Sequence, residues 1–437
     1  MEGKKNRNNK MLIKCSHRKG LKAGALYFAV FISFISGIFV VFLLLNAYLN
    51  SKIANIELHK DKVIRDVNSA IALLQGNPEI VGYNSQQEMD LFNDGHSTVT
   101  VARKRFGAYN VVSAEEKMGD YLYIKTGLTG ENMQQGEQTG LYMTDRNKYL
   151  SLSGKTKLSG TCYLPALGIR RAYIEGQGYT GDELVDGVTK KSSDSLPGID
   201  RQLFSYLAGY LEGNYEDNDS VADFNEMATN NPMKRSFQKS MLVLRSQEII
   251  VIGDQDISGN ISVVSDRGIL VKSRAKISDI VLYAPNIYIE PGFTGNIQAF
   301  ASDTLVIGNN CRLNYPSFAG IVNKNVNNCY MRIEKAGTVS GGILIFQDSK
   351  ALREPYLYIE ESVIIYGQVY CKGMVEHKGT IFGSLYCDGF VLKTPSAYYE
   401  NHLLNAMVDA KNLSRYFTGA CIFEPSSKSQ QLIKWLN

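Results

Sequence analysis

Residues 23–45 form an unbroken apolar stretch, AGALYFAVFISFISGIFVVFLLL, and no charged side chain appears between Lys22 and Lys52. At 1.5 Å per residue, a helix of that length crosses the ~30 Å hydrocarbon layer of a bilayer with some tilt. A cleaved signal peptide has a hydrophobic region of only about 7–15 residues followed by a small-x-small site. AYLNSKIA is a poor site of that kind, so the pattern reads as a retained transmembrane helix over 23–50. The helical signal continues outward. Between Ser51 and Leu74 there is no Gly or Pro, and Ile53, Ile56, Val63, Val67, Ala70 and Leu74 fall on heptad spacing. Gly76 and Asn77-Pro78 then supply stop signals. The spacing predicts an amphipathic rod over 51–76, continuous with the membrane helix. Two readings of its stripe stand side by side. In one, Ile53, Ile56, Val63, Val67 and Leu74 zip to a second copy or a partner; in the other, the stripe packs on the domain that follows.

Beyond the rod the period changes from helical to two. Residues 79–146 read as a small β-rich module, with alternating segments such as Thr98–Val101 and Tyr121–Ile124 separated by Gly127, Gly130 and Gly136. From 147 onward, short β-branched and aromatic runs recur between Gly, Asn and Asp, at intervals too short for βαβ crossovers. Gly367, Cys371, Gly373 and Val375 reappear sixteen residues later as Gly383, Cys387, Gly389 and Val391. Rungs of that length predict a right-handed parallel β-helix, or solenoid, whose turns stack about 4.8 Å apart. An antiparallel sandwich is the competing architecture. The expected solenoid occupies 147–191 and 247–397. It is interrupted by a linker and helical insertion over 192–246, where Leu203, Phe204 and Leu207 have helical spacing. It is closed by an amphipathic capping helix and tail over 398–437, built on Leu403, Leu404, Met407, Val408, Leu413 and Phe417. The fold class is therefore mainly β, behind one N-terminal helix.

Charge sharpens the topology. The formal net charge of +4 divides into +7 on residues 1–22 and −3 on the rest. A basic segment directly before the apolar stretch predicts a cytoplasmic tail and an extracytoplasmic body, in a bacterial inner membrane by the positive-inside rule. The slightly acidic body excludes a nucleic-acid-binding surface spread over the whole protein.

A short basic leader, then Gly24-Ala25-Leu26 and a long apolar helix running on into an amphipathic half, resembles the N-terminus of type IV pilin-like proteins. Minor, K-type pseudopilins are the closest group. That resemblance covers residues 19–74 and implies an envelope subunit of a pilin-like or secretion apparatus. The rungs around 367–391 resemble those of bactofilins, which implies a polymer-forming β-helical scaffold.

Chemistry-bearing motifs are absent from the sequence: there is no C-x-x-C, H-E-x-x-H, Walker loop or G-x-S-x-G. No catalytic residue, cofactor or metal site is expected. Cys371 and Cys387 would lie one above the other on adjacent rungs, as a disulfide or as a ladder of reduced, core-facing thiols. Cys15 and His17 fall in the basic tail. Arg170-Arg171 beside Tyr173, and Tyr356, Tyr358, Tyr366 and Tyr370, form either a glycan-stacking surface or half-buried β packing. The expectation is a non-enzymatic, single-pass envelope protein that presents a β-solenoid as a scaffold or assembly component, with envelope proteins or further copies as partners. A cell-wall or polysaccharide-binding β-helix is the alternative.

Overall fold

The computed structural model describes residues 23–436 apart from 94, 96, 120, 134–136, 228–231, 325–328, 349–352 and 425–428. The basic tail, with Cys15 and His17, and also His96 and Gly136 lie outside the described residues. The chain divides into two compact units, Met1–Lys62 and Val63–Asn437. The protein is mainly β, with one long N-terminal helix.

Helix α1 (Ala23–Gly76) is continuous over 54 residues and contains no proline. Asn77 N–H closes its last turn on the Leu73 carbonyl, and Pro78 then opens a single 3-10 turn, Pro78–Ile80. In the second unit, Val63, Val67, Ala70, Ile71 and Leu74 are buried against Val99, Val101, Val112 and Ala114. Those four belong to β2 and β3 of an antiparallel meander: β1 (Ser85–Met89), β2 (Val99–Phe106), β3 (Tyr109–Met118) and β4 (Tyr121–Asn132). Period-two alternation on β2 sends Val99 and Val101 to the helix. The C-terminal strand Gln430–Leu436 and the short Thr418–Gly419 pair with the far edge of β4, so the sheet is finished by the end of the chain. The module expected over 79–146 therefore borrows its last strands from the C-terminus. Its own final strand, Thr139–Met143, leaves for the second sheet.

That second sheet consists of parallel strands that close on themselves. One column of buried side chains threads it: Leu244, Val263, Leu282, Ala299, Ala319, Ile343, Val369, Leu385, Leu141 and Cys162, each the register partner of the next. Every member is fully buried. Stacking order differs from chain order at the end of this column. The segment 139–191 comes first in sequence yet stacks beyond Thr380–Lys393, the last long strand. Residues 192–246 thus lead from that segment back to Leu244, where the column begins. Helix α2 (Arg201–Leu211) lies within that connection, as its spacing predicts. It is capped by Asp200, whose Oδ1 accepts from Gln202 N and Leu203 N at 2.8 and 3.2 Å. A short helix α3 (Phe224–Met227) follows, with Phe224 in the core of the stack.

A second core lies between the stack and its covering layer. Tyr283, Phe300, Phe318 and Phe346 meet Leu203, Phe204 and Leu207 of α2 and Tyr109, Val111 and Leu128 of the antiparallel sheet. Small residues make room for the rings. A Cβ on Gly320 would come within 2.7 Å of Phe300, and one on Gly342 within 2.5 Å of Phe318.

Three expectations are corrected. Among the described residues, the helix expected within 398–437 is absent. Tyr398–Glu400, His402–Leu404 and Met407–Asp409 are strands, the last two pairing in parallel with Leu150–Ser153 and Lys157–Ser159. Asn401 (φ 53°) and Asn405 (φ 58°) occupy the left-handed region between them and break the helical path at each corner. The sixteen-residue repeat holds for Gly367 with Gly383 and Cys371 with Cys387. It slips by one afterwards, where Met374 and Val375 face Gly389 and Phe390. The self-association reading of the rod stripe is corrected for Val63, Val67 and Leu74, which pack on the antiparallel sheet that follows, as the other reading has it.

Candidate functional site

Among the described residues, α1 is the one helix long and apolar enough to cross a membrane. Its side chains from Leu26 to Leu58 include Phe31, Phe39, Leu44 and Tyr48, all exposed. Water does not tolerate an apolar surface of that extent without a cover. Ile53 and Ile56 are 55% and 45% exposed, so only these two of the five rod positions remain available to a partner.

A built polar cluster follows the end of α1. Arg103 and Arg105, two apart on β2, share one face of the strand. Their guanidinium carbons lie 3.9 and 3.7 Å from the centroid of the Tyr83 ring. Arg103 donates from Nη1 to the Pro78 carbonyl (2.6 Å) and from Nη2 to the Tyr83 hydroxyl (2.5 Å). Arg105 Nη2 pairs with Asp200 Oδ2 at 2.6 Å, so one carboxylate both caps α2 and neutralises Arg105. Burial lowers the pKa of Arg103, and burial raises that of Tyr83 against the pull of the two arginines. Beside the cluster lies a cavity of 700 Å³, lined by Arg103, Tyr83, Glu131, Gln202, Cys421 and Glu424 among others. Burial pushes the Cys421 thiol up to about 12, although Asn110 Nδ2 and Gln430 Nε2 donate to its Sγ.

A second cleft, of 440 Å³, is lined by Tyr142, Tyr163, Tyr386, Gln368, Glu137 and Arg415 among others. Its tyrosines continue a column in which Tyr370, Tyr386, Tyr142 and Tyr163 stack at 6.2, 6.1 and 5.1 Å. Glu137 accepts from Lys190, Thr161 and Tyr163, and these bonds hold its carboxyl below the usual range.

The remaining sequence-nominated residues are dispersed. Cys371 and Cys387 are direct register partners, fully buried, and are free thiols whose pKa burial raises well above the ordinary value. Tyr356 stacks on Tyr330 with Lys393 over its ring, Arg332 and Lys378 both lie near the Tyr358 ring, and Tyr366 stacks on Phe382. Tyr370 is buried. These rings are therefore engaged in β packing. Arg170 and Arg171 sit over Tyr149 and Tyr179, and neither is over Tyr173, which is 73% exposed. Among the described residues no group of three or more His, Cys, Asp or Glu is placed to hold a metal ion. Sequence reasoning missed the Arg103–Tyr83–Arg105 cluster. The parity of Val99, Val101, Arg103 and Arg105 put all four on one face, but not which face would be covered.

No family model and no curated protein matches the sequence. Among solved structures, the chain is similar to the crystal structure of the competence-associated pilin ComZ from Thermus thermophilus. The identity is 9%, 81% of this chain and 86% of that chain are covered, and the TM-score is 0.22. The bactofilin resemblance of the rungs at 367–391 finds no support in these comparisons.

Proposed function

We propose that this chain is a non-enzymatic, single-pass envelope protein of pilin-like plan, in which α1 anchors a right-handed β-helix outside the bacterial inner membrane as a scaffold or assembly component. The observation that carries this reading is the division of labour along one uninterrupted helix. Its first part exposes a bilayer-length apolar surface, and its last turns from Val63 to Leu74 are built into the antiparallel sheet. Right-handed winding follows from the near-universal hand of parallel strand connections. The +7 tail supports a cytoplasmic N-terminus.

Two measurements test the reading. Carbonate-washed membranes should retain the protein, and trypsin added to intact spheroplasts should remove the body. Recovery in the soluble fraction, or a body protected from trypsin, defeats it. Ile53→Cys or Ile56→Cys should then crosslink to an envelope partner or a second copy in intact membranes. Monomer alone from both variants would remove the assembly role and leave the anchor.

A further inference from the structure

We propose that the 700 Å³ cavity beside Arg103 binds a small polyhydroxylated anion of the uronic-acid type, with its carboxylate on the Arg103 guanidinium. The argument begins with charge. Of the two arginines flanking Tyr83, Arg105 has a counter-ion in Asp200 at 2.6 Å. Arg103 has none of that kind: its two bonds go to a neutral carbonyl and a phenol, and its Nε has no partner. It is only 6% exposed and lines the cavity. Exposed Glu79 acts on it through space alone. A buried guanidinium without a direct ion-pair partner is destabilised, and its planar donors suit a carboxylate. The fold keeps this arrangement beside a cavity. The Tyr83 ring lies against the Arg103 guanidinium, and Arg105, 3.7 Å from the same ring centroid, adds to the positive field.

The rest of the wall selects what else the ligand must carry. Four carboxylates, Glu79, Glu131, Asp200 and Glu424, line the same cavity with Gln202 and Gln430, and Asp200 is already paired with Arg105. Carboxylates accept hydrogen bonds and repel further negative charge, while the two amides both donate and accept. A ligand with one anionic group at the Arg103 corner and hydroxyl donors elsewhere satisfies both halves, whereas a polyanion satisfies only one. The cavity volume is that of a small-molecule site. The inference does not depend on membrane anchoring, since every residue it uses belongs to the second unit.

The test uses the full-length protein in detergent, with D-glucuronate as probe. Glucose serves as the control with hydroxyls but no carboxylate, and acetate as the control with a carboxylate but no hydroxyls, all at equal ionic strength. Glucuronate should raise the melting temperature saturably, with at least tenfold tighter apparent binding than either control. Arg103→Gln should abolish the glucuronate response, and Arg103→Lys should weaken it at least fivefold while keeping the charge. If Arg103→Gln does not fold, the lysine variant alone decides. The proposal is overturned if glucuronate acts no more strongly than glucose or acetate, or if the Arg103 variants that fold respond as the unaltered protein does.

Discussion

Gly341, Gly367 and Gly383 stand directly above one another with φ of 145°, 136° and 144°. A Cβ on Gly367 would lie 1.8 Å from the Gly341 carbonyl oxygen, and one on Gly383 would lie 1.9 Å from that of Gly367. Backbone rather than a movable side chain occupies the space, and the torsion is one L-residues avoid. Gly367→Ala should therefore destabilise the fold by roughly 3 kcal/mol, combining torsional strain and overpacking. A urea melt checks this, and a midpoint within error of the unaltered protein would contradict it. His377 gives a second prediction at this scale. It is buried, its Nε2 lies 3.0 Å from the Met407 carbonyl, and burial lowers its pKa from 6.5 to about 4. Because the folded-state pKa is the lower one, the unfolded chain binds the extra proton. The contribution is complete above pH 6.5 and disappears as pH falls toward 4, at a total of about 3 kcal/mol. His377→Gln should flatten stability over that window, which denaturant midpoints measured from pH 7 to pH 4 would show.

At the scale of elements, what was legible in the sequence depended on whether local chemistry determined the partner. Helix α1, its stop at Asn77-Pro78, and α2 follow from spacing and caps, which are local. The parallel strands were legible as short β-branched and aromatic runs because each strand buries its own apolar side chains against its neighbours. The stretch 398–417 was not, since Leu403 and Val408 fit a helix face and a strand interior equally well. The deciding left-handed corners at Asn401 and Asn405 are visible only in the structure. The heptad stripe of α1 has the same ambiguity, because Val63, Val67 and Leu74 pack as readily on a sheet as on another helix. Long-range locks were equally illegible. The tight β2–β3 turn at Gly107-Ala108 is held to the parallel stack by Gln298, whose Oε1 accepts from Ala108 N (2.8 Å) and whose Nε2 donates to the Phe106 carbonyl (2.9 Å). These groups are buried, and removing the amide strands both backbone partners. Gln298→Leu, which keeps the volume, should thus cost as much as Gln298→Ala, roughly 2–4 kcal/mol. A much smaller loss for leucine would mean that packing, rather than the paired hydrogen bonds, fastens the two sheets.

In the whole molecule, the two sheets are each completed by distant parts of the chain. Leu141 must dock on Leu385 to extend the parallel column, and Gln430–Leu436 must reach β4 to finish the antiparallel sheet. Contacts of such sequence separation form late and slowly, and they join distant parts of the compact unit Val63–Asn437. The single tryptophan reports on this closure. Trp435 lies on the C-terminal strand, 44% exposed, with the Lys125 ammonium 3.8 Å from its ring centroid. If the antiparallel sheet were an independent module, its tryptophan signal would disappear before the β signal of the parallel stack. The shared core of Tyr109, Val111 and Leu128 with Phe300 and Phe318 argues against that separation, because neither sheet can leave without exposing the other's rings. Denaturant unfolding followed by tryptophan fluorescence and by far-ultraviolet circular dichroism should give coincident transitions in the unaltered protein. Leu385→Asp, at the docking point of the 139–143 strand, should shift both together toward lower denaturant; a fluorescence midpoint that stays in place would show that the two sheets unfold as separate units.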